Sequence, residues 1–200
     1  MKDKRPSRGE HPHGTFWYYN NWDFNTLGYI YEKSTREKIF DAFDREIAKP
    51  IGMQDYSPRN GSYVYSKKSL YPAYLFALSA RDFARFALLF LHGGNWNGAQ
   101  VIPQDWVKQS TTPYSDTHSG GYGYLWWTAE SASKTAPEIR FPHGSFWAEG
   151  HWGQFAVVIP SRDMVVVHMQ ADASHAVSKS QMAKLLHLVI AAAPASPAGQ

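Results

Sequence analysis

Glu149-Gly150-His151-Trp152-Gly153-Gln154, continued by Phe155-Ala156-Val157-Val158-Ile159, Pro160-Ser161-Arg162-Asp163 and Met164-Val165-Val166-Val167-His168-Met169, decides the reading of this 200-residue chain. Two short β-branched runs joined by a proline-led turn spell an antiparallel hairpin. Ahead of the hairpin, Gly150 and Gly153 flank His151 and suit a close backbone approach. His151 therefore reads as a site residue in preference to a surface strand histidine.

Outward from this hairpin, the aromatic run at 122–127 adds another strand, and a three-stranded antiparallel sheet is the simplest account. Residues 177–192 follow as a helix with Met182, Leu185, Leu186 and Val189 on one side. Upstream the period is helical. Asn20 or Asn21 caps a helix to about Lys33, with Phe24, Leu27, Gly28 and Tyr31 on one face. A second helix over 36–48 repeats Ile39, Phe43 and Ile47 and ends at Pro50 and Gly52. Residues 53–77 read as an irregular excursion of the kind that walls a site. Ser79 with Asp82 resembles a capping box opening a helix over 79–91 that Gly93-Gly94 stops, and Pro103 opens a short helix through Val107. Helices, then a meander, then a terminal helix make an α+β order. Residues 1–13 form a polar lead, 14–120 a helical lobe, 121–192 the antiparallel strands and C-terminal helix, and 193–200 a disordered tail.

Composition narrows the function classes. With 44% hydrophobic residues the chain has ample material for a core, and 8 Trp, 12 Tyr and 11 Phe exceed what that core needs, so some line a groove or partner surface. Whether Trp126, Trp127, Trp147 and Trp152 line a cleft or fill the core stays open at this level. A net charge of +3 without a basic stripe argues against nucleic acid. The absence of cysteine excludes disulfides, thiolate metal sites and a cysteine nucleophile. No apolar run is long enough to span a membrane, and the polar start is no secretory signal, which leaves the compartment open. The tightest histidine spacing, His11-x-His13, lies in the lead, so neither a metal nor another cofactor is expected.

A second stretch, Gly14-Thr15-Phe16-Trp17-Tyr18-Tyr19-Asn20-Asn21 with the helix behind it, joins the first to carry a resemblance. Together with Leu78-Ser79-Ala80-Arg81-Asp82 and Gly121-Tyr122-Gly123-Tyr124-Leu125-Trp126-Trp127, these elements resemble, in order and over residues 9–190, the back portion of the penicillin-binding-protein and class C β-lactamase superfamily of serine hydrolases. The stretch at 14–21 is similar to the family's Tyr-x-Asn element, with Tyr19 and Asn21 selected by the helix register and Tyr18 with Asn20 as the alternative. The stretch at 149–154 is similar to its third motif, a Lys-Thr-Gly or His-x-Gly triplet on the strand edging the site.

The resemblance implies a division of labour. Acyl transfer needs a nucleophile, a proton carrier, oxyanion donors and a group that holds the substrate. Tyr19 would exchange the nucleophile's proton, its phenol made more acidic by nearby cations, while Asn21 orients the family's lysine and the substrate amide. His151 would donate to substrate or to Tyr19. Substrate binding falls to Trp152, Gly153 and Gln154, with the Gln154 amide as an oxyanion donor and Gly153 admitting substrate to the strand. Histidine in place of lysine in the third motif leans toward esters or amides and away from penicillins. The family's Ser-x-x-Lys is not found upstream of Tyr19, and Ser131-Ala132-Ser133-Lys134 stands in the wrong order. The expectation is therefore a truncated chain, with Met1 internal to a longer gene, that forms no acyl-enzyme alone and self-associates through an open edge or groove. The alternative is a non-catalytic module for cell-wall peptide or glycan on the same fold, with Tyr19 a core aromatic and Asn21 a cap.

Overall fold

The structure is a computed structural model and describes residues 5–117, 120–129 and 141–193. Ser131 to Lys134 and the tail from residue 194 on lie outside these residues. Helix α1 (Asn21–Thr35) begins where Asn20 holds extended backbone and its Oδ1 accepts from the Asp23 amide at 3.2 Å. It stops at Arg36, whose left-handed φ of 60° turns its N–H back to the Glu32 carbonyl at 2.9 Å. That cap delays the second helix expected from 36: α2 covers Ile39–Phe43 and continues as a π-helical turn, Asp44–Ala48.

The stretch expected to be irregular holds a hairpin. Strand β1 (Gly61–Val64) pairs antiparallel with β2 (Ala73–Phe76) in the register Gly61↔Phe76. Its alternation is only four residues long on each side of a long connection, which hides it from a periodicity argument. Gly28 places the hairpin against α1, because a Cβ there would sit 2.3 Å from Cε1 of Tyr74. We expect Gly28→Ala to lower stability by about 1 kcal/mol, the overpacking cost of about 1–3 kcal/mol exceeding the roughly 1 kcal/mol gained in helix propensity. The check is a urea midpoint that falls at unchanged slope.

Helix α3 (Ala80–Leu91) is capped by Ser79, whose Oγ accepts from the Asp82 amide at 3.2 Å. The reciprocal half of the expected capping box is replaced by something else. The fully buried Asp82 carboxylate turns away and accepts from the amides of Gln54 (2.8 Å), Asp55 (2.8 Å) and Tyr56 (2.9 Å), pinning the chain between α2 and the first hairpin to this helix. A two-residue pair, β3 (Asn95–Trp96) with β4 (Ala99–Gln100), and helix α4 (Gln104–Ser110) lead into the sheet.

Among the described residues that sheet has six strands in the order β10-β9-β8-β7-β6-β5, twice the number expected. They are β5 (Ser115–Thr117), β6 (Gly120–Tyr122), β7 (Trp127–Thr128), β8 (Phe146–Gly150), β9 (Gln154–Ile159) and β10 (Met164–His168), each antiparallel to the next. The run at 122–127 is interrupted: Leu125 takes φ 67° and the Gly123 amide donates to the Trp126 carbonyl at 2.8 Å, so β6 and β7 lie on either side of a turn. The turn after β9 is as read, with Asp163 left-handed at φ 47° and its amide on the Pro160 carbonyl.

Strand β9 is central to the core, and none of Phe155, Ala156, Val157, Val158 and Ile159 is more than 3% exposed. Its side chains alternate. Ala156 and Val158 pack with Leu89 and Phe90 of α3 and with Trp126 and Phe146, while Phe155, Val157 and Ile159 pack with Trp147 and with Met182 and Leu186 of the last helix, α5 (Lys179–Ala192). Covering both faces explains an uninterrupted apolar run where one-sided burial would alternate. The architecture is α+β, an antiparallel sheet between helices.

Candidate active site

The extended chain leading into α1 sorts its side chains by parity. Asn20 is spent on the helix, with Nδ2 donating to Asp23 Oδ2 at 2.7 Å in addition to the cap. Tyr19 and Asn21 instead both line two neighbouring cavities, neither of which Tyr18 or Asn20 lines. Tyr19 is 41% exposed, and its ring is held by Trp127 (5.9 Å, stacked), Phe24 (5.5 Å) and the edge of Tyr122 (6.3 Å).

The expected acidification of this phenol is reversed. Burial raises the Tyr19 pKa above the ordinary tyrosine value, and the charge of Glu149 raises it further. The phenol therefore keeps its proton at neutral pH. In Glu149→Gln the Tyr19 pKa should fall yet stay above the ordinary value, since burial is the larger cause; phenolate absorbance against pH, read as a difference from Tyr19→Phe, measures it.

The third-motif residues form a turn, which corrects the expectation that they lie on a strand. Strand β8 ends at Gly150, β9 begins at Gln154, and His151–Gly153 is a tight helical turn in which Trp152 has φ 65° and Gly153 φ 93°. The turn is anchored from outside: the Trp152 carbonyl accepts from the Val177 amide at 3.1 Å and the Gly153 carbonyl from Nδ1 of His168 at 2.7 Å. Gly153 is buried, and a Cβ on it would meet Val177 at 2.8 Å, so backbone sign and packing against 177 require glycine there. The Gln154 side chain clamps the chain after β10, donating to the Gln170 carbonyl at 2.6 Å and accepting from its amide at 2.9 Å.

A cavity of about 650 Å³ brings Tyr19, Asn21 and His151 together with Trp127, Glu149 and Gly150. Trp152, 42% exposed, lies beside the His151 ring at 5.4 Å; it, Gly153 and Gln154 line neither cavity. The second cavity, about 560 Å³, lies between α1 and the first hairpin and is walled by Trp22, Phe24, Tyr74 and Leu75 with Lys68. Its serines are engaged in holding the loop: Ser69 Oγ donates to the Tyr71 carbonyl at 2.6 Å, and Ser66 Oγ accepts from the Lys68 amide at 3.2 Å. The tryptophans divide, Trp126 and Trp147 being core and Trp127 cleft.

Sequence reasoning missed Glu149 and Lys68 and left Trp127 open between cleft and core. Glu149 was within reach, since it stands two residues before His151 and strand alternation puts both on one side. Among the described residues no group of three or more potential ligands is placed to hold a metal ion, and no helix is long and apolar enough to cross a membrane.

Solved structures share this architecture. The chain is similar to a protein described as a 6-aminohexanoate-dimer hydrolase from Bacillus anthracis (TM-score 0.66, 23% identity, 92% of this chain and 45% of that one). It also resembles a protein described as a β-lactamase from Bacteroides dorei DSM 17855 (0.59, 14%, 89% and 58%) and a penicillin-binding protein homologue from Caulobacter crescentus (0.55, 15%, 78% and 53%). The chain thus spans about half the length of the structures it matches. Among curated proteins no significant match is found. The family model described as Beta-lactamase matches residues 5–190, nearly all of the chain, and on that match the chain belongs to the β-lactamase family.

Proposed function

We propose that this chain supplies the proton-transfer and substrate-orienting part of a serine hydrolase that cleaves ester, amide or β-lactam bonds through an acyl-enzyme. The nucleophile comes from a Ser-x-x-Lys segment outside this sequence. The observation that carries the reading is the convergence of Tyr19, Asn21 and His151 on one cavity. Seated there, the segment's lysine brings a cation beside the Tyr19 phenol and opposes the upward shift from burial and from Glu149. With that lysine beside it Tyr19 reacts as the phenolate: it takes the serine proton as the serine oxygen attacks the substrate carbonyl, and gives the same proton to the leaving group when the tetrahedral intermediate collapses, which restores the phenolate. Water then attacks the acyl ester by the reverse route. Asn21 orients lysine and substrate, His151 donates to substrate or to Tyr19, and the Gln154 amide is the proposed oxyanion donor.

Steady-state hydrolysis of p-nitrophenyl acetate tests the reading. This chain alone should not exceed its heat-denatured control, whereas the chain extended at its N-terminus by a Ser-x-x-Lys segment should turn over. No turnover in a folded extended protein would favour a non-catalytic binding module.

The same reading predicts self-association. Strand β10 ends the sheet with only β9 beside it among the described residues, and Tyr65, Leu70 and Leu188 are 79%, 81% and 66% exposed. An open strand edge and exposed apolar side chains each recruit other chains. Sedimentation should show species larger than monomer; a sharp monomer boundary with cooperative melting above about 65 °C, beyond the mesophile range, contradicts it.

A further inference from the structure

We propose that His168, which lines neither cavity, is a positioning residue whose ring fixes the plane of the Gly153–Gln154 peptide and so aims the Gln154 amide, the proposed oxyanion donor. The inference rests on the hydrolase reading above and adds to it a residue from outside the cleft.

The ladder between β9 and β10 ends at the pair Phe155↔His168. Just before β9 lies the His151–Gly153 turn, where two successive residues take left-handed φ, Trp152 at 65° and Gly153 at 93°. Backbone of this kind persists only where its surroundings over-determine it. Packing against Val177 demands glycine at 153, yet glycine restrains its own ψ least of all residues, so the peptide that follows it rotates unless a partner holds it. His168 is that partner. From the last position of β10 its half-buried side chain reaches past the end of the ladder and sets Nδ1 2.7 Å from the Gly153 oxygen, 15 residues away in sequence. A carbonyl only accepts, so Nδ1 carries the hydrogen. The C=O and N–H of a trans peptide share one plane and point in opposite directions, so a bond that fixes the Gly153 oxygen also fixes the direction of the Gln154 N–H. The other two anchors grip elsewhere: the Val177 amide holds the carbonyl of Trp152, one peptide earlier, and the Gln154 side chain holds the backbone of Gln170. An oxyanion donor works only when held to about 0.5 Å and roughly 10–20° of its productive place, which is the precision this bond supplies.

Two substitutions, each read in two ways, test the proposal. In the 200-residue chain, ring ¹⁵N shifts should show hydrogen on Nδ1 of His168 at neutral pH. His168→Leu should move the Gln154 amide resonance, whereas His168→Asn, whose Nδ2–H can take the place of Nδ1–H, should leave it near the parent position. In the protein extended by a Ser-x-x-Lys segment, His168→Leu should lower kcat for p-nitrophenyl acetate about tenfold with KM little changed, a part of the roughly 10²- to 10³-fold cost of losing an oxyanion donor outright, and His168→Asn should recover most of the loss. A bare Nδ1, an unmoved Gln154 amide in His168→Leu, or equal kcat losses in the two variants overturns the positioning role and leaves the hydrolase reading standing. So does a fall in melting temperature with kcat of the folded variants unchanged, which marks His168 as structural only. If the amide responds as expected but the folded extended protein never turns over, the hydrolase reading falls and the oxyanion role of this peptide falls with it.

Discussion

Tyr19→Phe in the protein extended by a Ser-x-x-Lys segment should lower kcat by about 10² or more, the scale of losing a general acid-base group. The substitution is clean because the ring contacts that hold Tyr19, with Trp127 at 5.9 Å and Phe24 at 5.5 Å, need no hydroxyl. The loss should lie in kcat with KM little changed, since the proton moves in the transition state. Tyr18→Phe should do little, because Tyr18 lines neither cavity and its neighbour Asn20 is committed to the α1 cap. His151→Ala should fall between the two, removing a donor while leaving nucleophile and proton carrier in place. Sensitivity to Tyr18→Phe with indifference to Tyr19→Phe would move the register to Tyr18 and Asn20. Indifference to both would place the chemistry elsewhere.

The largest effect on stability should come from Asp82→Ala. Three backbone amides, of Gln54, Asp55 and Tyr56, donate to this one fully buried carboxylate, and alanine leaves all three without their acceptor. At about 1–3 kcal/mol for each stranded donor, offset by release of a buried charge, the cost should be about 3–5 kcal/mol. A chain of this size should then melt about 10 °C lower. Asp82→Asn keeps one acceptor oxygen and should lose less. The neighbouring Arg81–Asp55 pair gives the control: it is bidentate but exposed, so Arg81→Ala should change the melting temperature by only a few degrees. Equal losses for Asp82→Ala and Arg81→Ala would show that the buried amide cluster does not anchor the loop.

What could be read from the sequence was whatever is local. The 155–168 hairpin declares itself because β9 is covered on both faces and β10 follows a proline-led turn, and α3 declares itself through Ser79 and its apolar stripe. Strands β5, β6 and β7 do not, since two or three residues rich in glycine and threonine carry no period. The same limit governs the site. The order of Tyr19, Asn21 and His151 is a matter of sequence, but Lys68 reaches the cleft only because Gly28 lets Tyr74 and the first hairpin pack on α1, a contact 46 residues apart. The upward direction of the Tyr19 pKa was not legible for a related reason: burial, the larger cause, and the carboxylate of Glu149 on β8, the second, both depend on how distant segments pack around the phenol.

Intact-mass and peptide-mapping mass spectrometry after a pulse of p-nitrophenyl acetate locates the nucleophile. No stoichiometric acetylation of the 200-residue chain is expected, and one acetyl group should accumulate with the burst on the serine of Ser-x-x-Lys in the extended protein. Stoichiometric acylation of the 200-residue chain itself, at Ser131 or any other hydroxyl, would contradict it, because the nucleophile would then lie within this sequence.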